Sequence, residues 1–131
     1  MVRGGKILVV ENYDSARESL AELLRGEGYE VHEAPEIDSA MSLMSQLHFD
    51  LILMALNFPE PAGLTLLEQV RKMPLPPAVF VMAEPYLKDK AMEAIRLGAR
   101  SYVTKPIVLS EVFGKMEALM TLPTKVRCGK T

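Results

Sequence analysis

From Phe49 to Gly63 the chain reads FDLILMALNFPEPAG, and the first half of that stretch decides the fold. Every position from Leu51 to Leu56 is apolar. A strand with one wet face alternates apolar and polar residues, whereas a continuous run suits a strand covered on both faces. The run stops at Asn57-Phe58-Pro59, a turn signal. Strands covered on both faces belong to parallel sheets with helices above and below, so the rest of the chain should supply further strands joined through helices.

It does. KILVV (Lys6–Val10) and AVFVM (Ala78–Met82) are again continuously apolar, and SYV (Ser101–Val103) is a shorter strand. YEVHE (Tyr29–Glu33) alternates, as an edge strand would. Between them lie helical stripes. The first is Ala16, Leu20, Leu23 and Leu24, with Arg17, Glu18, Glu22 and Arg25 on the opposite side, Asp14 or a Ser15–Glu18 capping box at its start, and Gly26 and Gly28 at its end. The second is Ile37, Ala40, Met41, Met44 and Leu47, and the third Leu64, Leu67 and Val70, before the breaker PLPP. The fourth is Leu87, Ala91, Ala94 and Ile95, opened by Pro85 and closed by Gly98. The fifth is Leu109, Val112, Phe113, Met116 and Leu119. The order βαβαβαβαβα predicts a three-layer, doubly wound α/β domain with a five-stranded parallel sheet of order 2-1-3-4-5.

The 131 residues suffice for one domain, read as residues 1–120, with 121–131 as a tail or the start of a linker. Fifteen basic against 17 acidic residues give a net charge of -2, with no basic excess to suggest direct nucleic-acid binding. The lone Cys128 cannot form an internal disulfide, and no apolar stretch is long enough to cross a bilayer, so a cytoplasmic protein is expected. His32 and His48 have no metal-ligand neighbours and are not read as phosphocarriers.

In an open parallel sheet, ligands collect at the carboxyl ends of the strands beside the point where the strand order reverses. That rule singles out Glu11 and Asn12 after the first strand, Ala55 ending the third, Ala83 after the fourth and Lys105 after the fifth. No nucleophile, general base or Gly-rich phosphate loop stands there, so no enzyme is expected.

Four segments, KILVVEN, DLILMALNFPEPAG, AVFVMAE and GARSYVTKP, together resemble the receiver domains of bacterial two-component response regulators, the CheY-like family. The resemblance runs from about Lys6 to Met120. It implies a domain that takes a phosphoryl group onto an Asp, with carboxylates holding Mg²⁺, a Lys beside the phosphoryl oxygens, and a Ser or Thr hydroxyl receiving one of them. By the same resemblance the acceptor position falls on Ala55, the hydroxyl position on Ala83 and the acid pair on Glu11 and Asn12, and Lys105 alone keeps the family's residue. A methyl group cannot attack phosphorus. Glu11 against Lys105 is formally neutral, so weak or absent Mg²⁺ binding and no other cofactor are expected. Asp50 lies at the wrong end of its strand, while Glu60 and Glu84 border the site as candidate substitute acids. Glu11 is expected to pair with Lys105, and the Lys105–Pro106 bond, often cis in the family, is expected to be cis here.

The reading is therefore an atypical pseudo-receiver acting through protein contact or self-association rather than phosphoryl transfer. The contact face is the fourth helix, fifth strand and fifth helix, with Tyr102 at the family's aromatic position and Glu93, Arg96 and Arg100 on the surface. A C-terminal effector domain in a longer chain fits that reading. The alternatives are a module whose emptied pocket takes a ligand or a partner side chain, and a phosphoacceptor that uses Glu84.

Overall fold

The computed structural model describes residues 5–57 and 62–118. Glu60, Leu119, the 120/121 boundary and Cys128, on which some of these expectations fall, lie outside the described residues. The strands are β1 (Lys6–Val10), β2 (Glu30–Ala34), β3 (Leu51–Ala55), β4 (Ala78–Ala83) and β5 (Ser101–Thr104). The helices are α1 (Asp14–Gly26), α2 (Ile37–Gln46), α3 (Ala62–Arg71), α4 (Lys88–Arg96) and α5 (109–118).

All the strands pair parallel, in the order β2-β1-β3-β4-β5. The continuous runs occupy the middle of the sheet: every residue of β3 is buried, as are Ile7–Val10 and Val79–Ala83. Burying each Val, Leu, Ile, Phe or Met among them favours folding by about 1.5–3 kcal/mol, and only a sheet covered on both faces collects that along the length of a strand. β2, the alternating strand, sits at the edge. The two faces are covered by different helices. α2 packs beside α3, and α3 and α4 share a small cavity. On the other face a groove opens between α1 and residues 105–109 at the start of α5.

Three local expectations are corrected. α1 is not capped by Asp14 or Ser15. Tyr13 takes the cap position without a side-chain bond, and Asp14, in the first turn, instead pairs with Arg17. The helix ends where its glycines predict: Gly26 is its last residue, and Gly28 follows with φ 102°. Gly28 N–H donates to Arg25 O and Tyr29 N–H to Leu24 O, which closes the turn. α4 closes in the same way at Gly98, with φ 123°, but Pro85–Leu87 before it forms a separate 3₁₀ turn. Finally, Arg17, placed by helical spacing on the solvent side of α1, is buried, while Ala16 and Leu23 of the apolar stripe are exposed. Arg17 reaches Glu33 on the neighbouring β2, and that tertiary partner outweighs the local pattern.

Among the described residues no helix is long and apolar enough to cross a membrane.

Candidate functional site

The sheet brings the positions at its carboxyl ends together. Ala55 closes β3 and is fully buried, and Ala83 closes β4 and is 2% exposed. The register continues past the strands: Glu11 N–H donates to Ala34 O, Leu56 N–H to Met82 O and Lys105 N–H to Ala83 O. Glu11 and Lys105 are therefore delivered to the rim by backbone ladders and not by mobile loops.

Glu11 is the centre of the site and is 2% exposed. Lys105 Nζ donates to its Oε1 at 2.8 Å. Asn57 Nδ2 donates to Oε2 at 3.2 Å, and the backbone N–H of Tyr13 donates to the same oxygen at 3.1 Å. Its carbonyl accepts from Arg17 Nη1 at 3.0 Å. A buried carboxylate is tolerated only when paired and hydrogen-bonded, and both conditions are met here. The Lys105–Pro106 peptide bond is cis.

Asn57 was not singled out in the sequence. The signal was there: it is a polar residue two positions past Ala55, at the carboxyl end of a buried strand. Its amide turns Nδ2 toward Glu11, since the reverse would set two acceptors face to face. The cost is a buried Oδ1 with no partner among the described residues. Asn12, by contrast, is exposed and is not drawn into the cluster by any of these bonds. Asp50 is at the opposite end of the sheet, where its Oδ2 accepts from the Lys6 N–H at 2.9 Å.

A second polar cluster stands beside the first. Arg17 contacts Glu33 at 3.2 Å and Asp14 at 2.9 Å, and Arg25 contacts Glu33 at 3.2 Å. Burial by itself would lower the Arg17 pKa, but hydrogen bonds and charge from Asp14 and Glu33 prevail and hold it above its ordinary value. His32 packs edge-on against Phe49 at 5.6 Å and bonds to Glu30 at 2.8 Å, while His48 is exposed.

The residues present do not fit Mg²⁺. That ion wants several oxygen ligands in octahedral array. Both Glu11 oxygens are already committed to donors, one of them an ammonium. Among the described residues no group of three or more His, Cys, Asp or Glu could hold a metal ion.

Nor is the space beside Ala55 large. The cavity there, lined by Ala55, Gly63, Leu67, Lys90, Glu93 and Ala94, measures about 40 Å³. Beside Ala83 there is more room: about 220 Å³, lined by Ala83, Glu84, Pro85, Lys88, Tyr102 and Thr104. Tyr102 is half-buried along that cavity, and Arg96 and Arg100 are exposed.

Residues 7–117 match the family model described as the response regulator receiver domain. The chain belongs to that family. As a receiver domain it is 33% identical over 107 residues to the regulatory protein AtoC of Escherichia coli (strain K12), a match covering 82% of this chain and 23% of AtoC. It is 32% identical over 112 residues to the transcriptional regulatory protein DltR of Streptococcus agalactiae, covering 85% of this chain and 50% of DltR. The chain thus spans half or less of these relatives. Among solved structures, the CheY-like response regulator receiver domain from Methylobacillus flagellatus superposes with a TM-score of 0.77 at 26% identity, covering 88% of this chain and 98% of that one. The receiver fold and its place in two-component response regulators follow.

Proposed function

We propose that this receiver domain signals without phosphoryl transfer, through contacts of a fixed surface with a protein partner or a second copy of itself. One observation carries the reading: the residue closing β3, where the family's acceptor stands, is the fully buried methyl of Ala55. Three further features support it. Ala83 has no hydroxyl to receive a phosphoryl oxygen. Lys105 is engaged by Glu11. The donor set suits no Mg²⁺. A carboxylate nucleophile on β3, a set of carboxylates for a metal and a hydroxyl at the end of β4 are each part of what makes aspartyl phosphorylation fast, and the described residues supply none of the three at those places.

The proposed contact face is α4, β5 and α5, with Glu93, Arg96, Arg100 and Tyr102. The cavity of about 220 Å³ beside Ala83 and Tyr102 favours a partner that inserts a side chain there. In this reading the chain is not itself an enzyme and works in the cytoplasm. An effector domain in a longer chain would give the output; AtoC is named a regulatory protein and DltR a transcriptional regulatory protein.

Incubation with acetyl phosphate and Mg²⁺ followed by intact-mass measurement tests the proposal. The expected mass is unchanged. An added phosphoryl group, on Glu84 or any other acid, would refute it.

A further inference from the structure

The misfit between this site and Mg²⁺ has a positive side. A buried carboxylate at the sheet's carboxyl end needs a positive charge from somewhere. We propose that Lys105 is the resident cation of the site. Its ammonium takes the position on Glu11 that a divalent ion would need, and with Asn57 and the Tyr13 N–H it closes the carboxylate into a clamp that makes the domain indifferent to Mg²⁺.

The geometry supports each part. Glu11 follows β1, Asn57 follows β3 and Lys105 follows β5, so three separate loops meet on one carboxylate. Lys105 Nζ sits 2.8 Å from Oε1, with side-chain exposures of 17% for Lys105 and 3% for Glu11. An ion approaching Oε1 would have to displace an ammonium, and one approaching Oε2 would displace two N–H donors. Asn57 Oδ1 has no partner among the described residues while Nδ2 serves Glu11, so the carboxylate sets the amide's orientation. Glu11 is one methylene longer than Asp, and Lys105 enters from the rim. The charges therefore cancel inside the protein, and no external ion is required. The clamp is a property of the free chain. It persists whichever partner the α4–β5–α5 face engages, and a phosphorylated acid elsewhere would leave it in place.

Thermal unfolding tests it. The wild-type chain is expected to melt within about 1 °C of the same temperature in EDTA and in millimolar Mg²⁺, because an ion that does not bind the native state cannot stabilise it. Lys105→Met strands a buried carboxylate and should lower Tm by roughly 5–10 °C. It frees only Glu11 Oε1, and one carboxylate is too few ligands for Mg²⁺, so the loss should be the same in EDTA and in Mg²⁺. Glu11→Gln combined with Lys105→Met removes both charges and should recover most of the loss with no response to Mg²⁺. A wild-type Tm that rises with Mg²⁺, or a Lys105→Met chain as stable as wild type, would overturn the clamp. If Lys105→Met fails to fold, Mn²⁺ titration of the wild type by NMR decides. Even, unselective broadening upholds the clamp, and selective broadening at residues 11–13, 57 and 105 overturns it.

Discussion

Two residues depart from what helical or strand patterns predict, and both do so because of a charge. Arg17 lies on α1 but is buried against β2, where Glu33 accepts from Nε at 3.2 Å. Its long apolar stem lets it cross the core boundary while the guanidinium finds carboxylates. Replacing it removes hydrogen bonds between charged groups and leaves Glu33 with Arg25 alone. We expect Arg17→Met to cost about 1.5–3 kcal/mol in urea unfolding. The exposed Arg96→Ala should stay within about 0.5 kcal/mol. Equal effects of the two would mean that the Arg17 network contributes nothing. Asn57 is the second case: its side chain is explained only by Glu11, which lies 46 residues earlier.

At the scale of elements, the helix ends carry the clearest tests. α4 ends with Gly98 at φ 123°, and a methyl group built there would lie 3.2 Å from both Cγ and Cδ of Arg71 on α3. A side chain in left-handed backbone costs about 1–2 kcal/mol, and Arg71 would have to move as well. Gly98→Ala should therefore destabilise by at least that amount. Gly26 is the control. It is the last residue of α1, and a methyl group added there meets nothing within 4 Å. Gly26→Ala should stabilise by about 0.4–1 kcal/mol by restricting the unfolded chain. Denaturation midpoints at unchanged m-value check both. Equal effects of the two would mean that the left-handed backbone at Gly98 carries no cost.

For the whole molecule, the Glu11–Lys105 pair joins residues 94 apart in sequence and ties the first strand's loop to the last. On the proposed function the domain offers one fixed surface. Self-association or partner binding should then be the same with and without acetyl phosphate. Arg96→Glu together with Arg100→Glu should weaken it without lowering Tm, since both side chains are exposed. Sedimentation velocity and a melting curve on the same samples measure both effects. Association that strengthens on acetyl phosphate treatment would contradict the proposed function.

The order of strands and helices was legible because it is written in local periodicity. Continuous runs such as LILMA require cover on both faces, and the alternating EVH segment permits an exposed edge. The absence of a carboxylate at Ala55 was equally legible, because no folding can add a functional group to a methyl. What only the tertiary structure decided is which polar groups meet. Arg17, Asn57 and Asn12 look alike in sequence as polar residues near strand or helix ends. Packing buries the first beside Glu33, turns the second onto Glu11 and leaves the third in solvent. The physical reason is range. Periodicity reports a residue's own element, whereas the desolvation of a charge is balanced by whichever partner the fold brings within about 3 Å.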